Sequence, residues 1–209
     1  IKVATYNYYF ALTYNNLRNT QQQYSQYGLD LKQYNLDVDF DKKLSKQTTK
    51  NDDNETVTWA QYIHDQVIDS IESTYTYYLA AKAANNGKDP EITDDQKKEL
   101  KDTLSQYRES AHKYGYTLSG YLVKAMGKGV TESLFTQEAT RSYIADNYKS
   151  ELSDKASEKE YTTKDYDNYK KDHEDDLAAV DIRLFECSSE DDAKAFKKAL
   201  AKDGSNFTA

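Results

Sequence analysis

The sequence feature that most restricts the fold is one apolar stripe through residues 59–79. Apolar and aromatic residues recur there at every third or fourth position: Trp59, Ile63, Val67, Ile71, Tyr75, Tyr78 and Leu79. This spacing places them on one face of an α-helix. Thr58 precedes the stripe and Gln61 comes three residues later, a pair typical of a helix-capping box. The stripe therefore predicts a long helix whose buried face must be covered by other helices.

Five further helices are predicted from the same spacing and from their start and stop residues. The first is a tyrosine-rich helix that ends at Gly28 and has the stripe Tyr6, Phe10, Thr13, Leu17 and Tyr24. The next runs from Thr93 to Gly115, with Gln96 as the capping partner of Thr93, and a short helix that stops at Gly127 follows it. The last two are a helix from about Thr131 to about Lys155 and a helix that begins at Thr162 or Thr163. The predicted fold class is therefore mainly α.

Two polar segments interrupt this pattern. Residues 29–57 form a long connection, which a compact domain tolerates when a few apolar residues fix it to the core. The residues available for this are Leu29, Tyr34, Leu36, Val38, Phe40 and Leu44. Residues from about 151 to 161 are polar and are predicted to form a joint between two helices.

Charge and composition argue against several classes of function. The chain carries 28 basic and 36 acidic residues and no basic run with interleaved aromatic residues, so no nucleic-acid partner is predicted. Cys187 is the only cysteine, which excludes a disulfide framework and a cysteine-based zinc site. No apolar run approaches the roughly 20 residues of a membrane-spanning helix.

The residue types that commonly bind metals or activate nucleophiles do not form a recognisable site in this sequence. His64, His112 and His173 lie on three different predicted helices, whereas a metal site needs several converging ligands. Asp37, Asp39 and Asp41 resemble the start of a calcium loop, but the glycine and the glutamate that such a loop requires are absent. No Gly-x-Ser-x-Gly turn is present. We predict no metal, no cofactor and no catalysis within this chain.

After about residue 176 the helical periodicity of the sequence gives way to the alternation typical of a strand. Residues 180–187, "VDIRLFEC", alternate like a short strand, and residues 188–200 form an amphipathic helical pattern that Ser188 or Ser189 caps. We therefore predict a helical domain over residues 1–176 and the beginning of a second, incomplete domain over residues 177–209.

The order of these elements resembles the amino-terminal chaperone region of SurA/PrsA-type extracytoplasmic foldases, especially the lipoproteins of Gram-positive bacteria. Four stretches carry the resemblance: "TYNYYFALTYNN", "TWAQYIHDQVIDSI", "AHKYGYTLSGYLVKAMGKGVTESLF" and "YTTKDYDNYKKDHEDDL". They are similar to the family's opening tyrosine-rich helix, its central helix, its Gly-Tyr and Gly-x-Gly passage and the helix that leads into the catalytic domain.

The resemblance extends to the second domain. Parvulin-type prolyl isomerase domains begin with a strand, a capped helix and a Gly-x-x-Phe turn, and Gly204 and Phe207 occupy the turn positions here. Leu184 stands where the family's strand carries a histidine, so the resemblance leaves it open whether the full-length protein is an isomerase. This chain would then be the non-catalytic arm of that isomerase. A surface or adhesion protein that reuses the fold is the third alternative.

The resemblance implies a SurA-N-like domain that binds unfolded or extended polypeptides outside the cytoplasm, either as a secreted protein or as a cell-surface lipoprotein. A lipidated N-terminus upstream of Ile1 would provide the membrane tether, and the oligomeric state is left open.

The 20 tyrosines provide candidate contacts, since their rings bind varied segments and lose little rotamer entropy. Tyr75, Tyr78 and Tyr121 lie on the stripes and are predicted to pack inside. Five others fall beside the stripes and are predicted to contact extended polypeptides, with core packing as the alternative: Tyr8, Tyr9, Tyr77, Tyr114 and Tyr116.

Overall fold

The structure is a computed structural model that describes residues 1–158, 161–174 and 186–199. The chain divides into two compact units, Ile1–Glu158 and Lys159–Ala209. Nearly all regular structure in the described residues is helical, which confirms the mainly α prediction. The division between the units falls inside the predicted polar joint and not after about residue 176, where the sequence placed the domain boundary.

The first unit contains five α-helices, one short 3-10 helix and a two-stranded antiparallel sheet among its residues. In chain order these are α1 (Val3–Gln26), the 3-10 helix (Leu44–Lys46), β1 (Thr48–Lys50), β2 (Thr56–Thr58), α2 (Trp59–Ala84), α3 (Asp94–Lys113), α4 (Leu118–Met126) and α5 (Glu132–Ser157). The described part of the second unit contains α6 (Thr163–Asp172) and α7 (Glu190–Ala199).

Helix α2 is central because it contacts both α1 and α5 along its length. Four residues of its predicted stripe are buried in the main core: Trp59, Ile63, Val67 and Ile71. The stripe then continues through Tyr78 and Ala81, which form a second, smaller core with Ile144 and Ala145 of α5. Leu79 was predicted to belong to the stripe, but it is 56% exposed because the buried face has turned away from it.

Threonines begin five of the helices. The side chains of Thr58, Thr93, Thr117, Thr131 and Thr162 each accept a hydrogen bond from a backbone N–H in the first turn that follows. Thr93 and Gln96 form the complete predicted capping box. At Thr58 only half of the box forms, because the Gln61 amide donates to Asp65 at 2.7 Å instead.

Hydrogen bonds from Gln21 and ring contacts from Tyr14 and Tyr24 join α1 to the long connection. Nε2 of Gln21 donates to the backbone carbonyls of Leu36 and Val38, at 2.6 Å in each case. Leu36 and Val38 are buried and Phe40 and Leu44 are half-buried, as predicted, whereas Tyr34 and Leu29 are exposed. The end of the connection forms the β1–β2 hairpin, in which Thr48 pairs with Thr58.

The turn between α4 and α5 packs closely against α1. Gly129 has a φ of +89°, and a Cβ atom at this position would lie 2.8 Å from Cβ of Ala4. Nδ2 of Asn7 donates to the Lys128 carbonyl at 3.0 Å, which holds the turn against α1. Only glycine meets both requirements at position 129 without strain.

Replacing Gly129 with alanine should therefore destabilise the first unit by about 2–3 kcal/mol, through the positive φ and the clash with Ala4. Gly115→Ala is the matched control, since Gly115 also has a positive φ of +71° but nothing within 4 Å of an added Cβ. The control should lose only about 1 kcal/mol. Urea unfolding followed by Trp59 fluorescence measures both, and equal losses would show that the Ala4 contact has no effect.

Two predicted helix caps lie within the described part of the second unit. Thr162 caps α6 and forms a capping box with Asp165. Oγ of Ser189 accepts from the Asp192 N–H at 3.2 Å, so Ser189 is the cap of α7. The predicted strand with Leu184 and the turn with Gly204 and Phe207 lie outside the described residues.

Candidate polypeptide-binding surface

The turn between α3 and α4 presents Tyr114 and Tyr116 to solvent. Helix α3 ends in a Schellman motif: Gly115 adopts a positive φ of +71°, and the Tyr116 N–H donates to the Ala111 carbonyl at 2.8 Å. Thr117 then caps α4 by accepting from the Gly120 N–H at 3.1 Å. Because one helix is capped immediately before the other begins, the backbone under both rings is held by hydrogen bonds.

Both rings are accessible, and each lies beneath a lysine. Tyr114 is 64% exposed and Tyr116 is 40% exposed. Nζ of Lys113 lies 5.9 Å from the centre of the Tyr114 ring, and Nζ of Lys124 lies 4.7 Å from that of Tyr116. Lys124 also donates to the Tyr116 hydroxyl at 2.6 Å, and this hydrogen bond raises the pKa of Lys124. Each tyrosine thus offers an aromatic surface beside a positive charge.

Tyr77 lies in a different part of the first unit, where α2 and α5 pack together. It is half-buried beside the second core, and Nζ of Lys149 lies 5.7 Å from its ring centre. An open groove of about 430 Å³ runs along this side, between α2, the loop after it and α5, and Ile144 and Tyr148 line it. Within the described residues no contact joins Tyr77 to Tyr114 or Tyr116.

The prediction for Tyr8 and Tyr9 was wrong, because both residues belong to the core. Only 3% of Tyr8 and 2% of Tyr9 is exposed. Their rings meet edge to face with centres 5.2 Å apart, and Tyr8 meets Phe135 of α5 in the same manner at 5.5 Å. Helix α1 is covered by α2, α4 and α5, so its buried surface is wider than one stripe.

The chemistry of these two phenols agrees with their burial. Burial is the largest of the causes that raise the pKa of Tyr8. It is also the largest cause of the shift of the Tyr9 pKa, which is raised to about 12. The Tyr9 hydroxyl has no hydrogen-bond partner of acceptable geometry in the described part of the chain, although Thr74 and Ser142 are near enough to affect its pKa. Neither phenol can contact a bound polypeptide in this state.

Sequence reasoning missed a buried ionic network that joins three helices. Glu138 of α5 is fully buried, and its Oε1 accepts from Nη1 of Arg141 at 2.8 Å. The Tyr75 hydroxyl of α2 lies 3.1 Å from both carboxylate oxygens and also accepts from Arg141 at 2.9 Å. Thr5 of α1 donates to the same carboxylate at 3.4 Å. The Glu138 network is defined here as Thr5, Tyr75, Glu138 and Arg141.

The Glu138 network joins α1, α2 and α5 through one buried carboxylate. Both carboxylate oxygens accept hydrogen bonds from within the protein, and none of the Glu138 side chain reaches solvent. Burial, followed by the Glu138 charge, raises the pKa of Tyr75. Burial opposes ionisation of Arg141, but Glu138 and Tyr75 outweigh it and raise the pKa of Arg141. A glutamate and an arginine three residues apart on a helix were the available signal in the sequence.

The described residues contain no group of three or more histidine, cysteine, aspartate or glutamate side chains that could hold a metal ion. His64 instead shares a hydrogen bond of 2.9 Å with the Tyr6 hydroxyl and ties α2 to α1. No helix in the described ranges is both long and apolar enough to span a bilayer.

No family model matches the chain, and neither a curated protein nor a solved structure matches it.

Proposed function

We propose that the helical region holds extended segments of unfolded polypeptides on the surface of the α3–α4 turn. The observation that carries the proposal is the exposure of Tyr114 and Tyr116 on a backbone fixed by two helix caps. Rigid, exposed tyrosines are suited to weak binding of varied segments, because they supply contact area at low entropic cost. A holding protein must also release its clients, and a shallow surface allows this. Tyr77 and the groove beside Ile144 would be a second, separate contact.

We further propose that the fold is SurA-N-like and that residues 177–209 begin a parvulin-like domain. The order of α1 to α6 supports this, as does the position of Ser189 at the start of α7. In such a protein the helical region acts outside the cytoplasm, with a lipidated segment upstream of Ile1 as the tether. Binding needs no nucleotide and no metal ion.

Removing the two rings should weaken client binding without unfolding the protein. For Tyr114→Ser combined with Tyr116→Ser we expect about tenfold weaker suppression of aggregation of dithiothreitol-reduced insulin, measured by light scattering, because two aromatic contacts are lost. Tyr34→Ser combined with Tyr166→Ser is the matched control, since both rings are exposed and lie outside the α3–α4 turn, and it should behave like the unmodified chain.

Two results would contradict the proposal. One is an unmodified chain that has no effect on aggregation at several-fold molar excess, and the other is a double variant that suppresses aggregation as well as the unmodified chain does. Circular dichroism of both variants shows whether the helices are intact, so that a loss of binding is not a loss of folding.

A further inference from the structure

Acidic residues are distributed unevenly along this acidic chain. Residues 1–29 and 110–131 contain no aspartate or glutamate, although the chain has 36 of them. The same two segments carry five basic residues: Lys2, Arg18, Lys113, Lys124 and Lys128. The remaining 158 residues carry 23 basic and 36 acidic side chains. These two segments are therefore positively charged, although the net charge of the whole chain is −8.

The fold brings these two segments together. Helix α1 lies in the first segment and contacts α4, which lies in the second. The turn after α4 is held against α1 by the hydrogen bond from Asn7 to the Lys128 carbonyl, at 3.0 Å. The exposed side chains of residues 1–29 and 110–131 are called the acid-free surface below.

All five basic residues of the acid-free surface are exposed, and none of them forms an ion pair with another described residue. At its borders, Glu132 is already paired with Arg108, and Asp65 of α2 contributes, after burial, to the raised pKa of Tyr6. Carboxylates also lie near two of the five charges, since Arg18 lines a pocket with Asp37, Asp39 and Asp41, and Lys2 lines one with Glu72 and Glu138. The unpaired positive charge around α4 is therefore that of Lys113, Lys124 and Lys128.

The acid-free surface also carries exposed apolar side chains. Tyr114 and Tyr116 lie before α4, Val123 is 40% exposed on α4 itself, and Leu12 is 41% exposed on α1. The lysines are placed beside the rings rather than away from them, since Lys113 covers Tyr114 and Lys124 covers Tyr116. Aromatic surface and positive charge are thus offered at the same points.

We infer that the acid-free surface selects client segments in which aromatic and acidic residues occur together. The inference rests on the proposed function and names the class of client. Nζ of Lys124 and the Tyr116 hydroxyl lie 2.6 Å apart, so one carboxylate can accept from both groups. A client ring beside that carboxylate then packs on Tyr114 or Val123. Basic segments are repelled by Lys113, Lys124 and Lys128, so the surface discriminates against them as well as attracting acidic segments.

Fluorescence polarisation with labelled, unstructured peptides tests the inference. Three peptides of equal length and the same tyrosine and phenylalanine positions carry aspartate, asparagine or lysine between the aromatic residues. At low salt we expect the acidic peptide to bind about tenfold more tightly than the neutral one and the basic peptide to bind least. In 1 M salt the difference should largely disappear, because the screening length falls to about 3 Å.

Charge reversal on the acid-free surface is the decisive variant. The triple change Lys113→Glu, Lys124→Glu and Lys128→Glu should abolish the preference for the acidic peptide. The control triple, Lys88→Glu, Lys98→Glu and Lys101→Glu, changes exposed lysines outside this surface and alters the net charge equally. It should keep the preference.

The possible failures are distinguishable. Equal binding of the acidic and neutral peptides by the unmodified chain would overturn the inference and leave the proposed function standing. Binding of none of the three peptides would overturn the proposed function itself. Binding to phosphatidylglycerol vesicles that the Lys113, Lys124 and Lys128 variant loses, without any preference among peptides, would assign the surface to an anionic lipid and contradict the inference.

Discussion

Arg141→Met should destabilise the first unit by about 3–5 kcal/mol at neutral pH, because it leaves the carboxylate of Glu138 buried without its cation. Arg141 is the one cation within hydrogen-bond distance of this carboxylate among the described residues, at 2.8 Å. Tyr75 and Thr5 would remain as donors, but two neutral hydroxyls do not replace a guanidinium group. Methionine keeps the apolar part of the side chain, so the loss measures mainly the guanidinium group, including its contacts with the Tyr75 and Tyr78 rings.

The pH dependence of the loss identifies its cause. In the variant a buried carboxyl group without a cation favours its neutral form, so the native state takes up a proton more readily than the unfolded chain does. A group of this kind contributes stability at low pH and loses it as the pH rises. The destabilisation should therefore be smaller at about pH 5 than at about pH 7. A packing defect would give the same loss at both.

The double change Arg141→Met and Glu138→Gln is the control. Replacing both partners removes the unpaired charge, so the double variant should recover at least half of the stability lost in Arg141→Met alone. Urea unfolding followed by the fluorescence of Trp59, the only tryptophan, reports on the first unit. A single variant that loses less than about 0.5 kcal/mol, or a double variant no more stable than the single, would contradict the structural role of the network.

Helix starts could be predicted from the sequence because a cap is a local interaction. The hydroxyl of Thr93 and the amide of Gln96 are three residues apart, so their hydrogen bonds depend on little beyond those residues. Where a competing partner exists nearby, the local rule fails in part. Nε2 of Gln61 donates to Asp65 one turn further along, and the Gln61 side chain does not accept from the Thr58 backbone N–H.

The buried surface of α1 could not be predicted because its width depends on how many helices cover it. Periodicity identified Tyr6, Phe10 and Leu17, which do pack against the core. It did not identify Tyr8 and Tyr9, since a stripe of three-to-four spacing assumes one covered face. Three helices contact α1, so adjacent positions are buried at the same time.

The exposure of the candidate tyrosines was predicted better where these residues lie outside helices. Gly115 marks the end of α3, and a tyrosine on either side of such a glycine lies in a turn, where few neighbours cover it. Tyr114 and Tyr116 are therefore exposed, as expected from the local sequence. The lysines beside them were not predicted, since Lys124 reaches Tyr116 from the next helix. The Glu138 network was missed for the same reason, because Tyr75 and Glu138 are 63 positions apart.

Trp59→Ala should lower the free energy of unfolding by about as much as Arg141→Met does. Comparison with Leu79→Ala tests whether the predicted stripe is buried at both of its ends. Trp59 is 1% exposed, and its ring meets Tyr62 edge to face with centres 5.3 Å apart. Truncation removes a large apolar surface and leaves a cavity between α2 and the core, for an expected loss of about 3–5 kcal/mol. Leu79 is 56% exposed, so its truncation should change stability by about 0.5 kcal/mol or less.

Far-UV circular dichroism during urea unfolding measures both variants, because Trp59→Ala removes the fluorescent reporter. The Trp59 N–H donates to the Gln47 carbonyl at 3.0 Å, and this backbone contact remains in the variant, so the loss belongs to the side chain. Equal losses at positions 59 and 79 would mean that the stripe stays buried along its whole length, as periodicity alone predicts. A large loss at Trp59 only would show that the covered face of α2 turns from Leu79 toward Tyr78 and Ala81, where α5 packs.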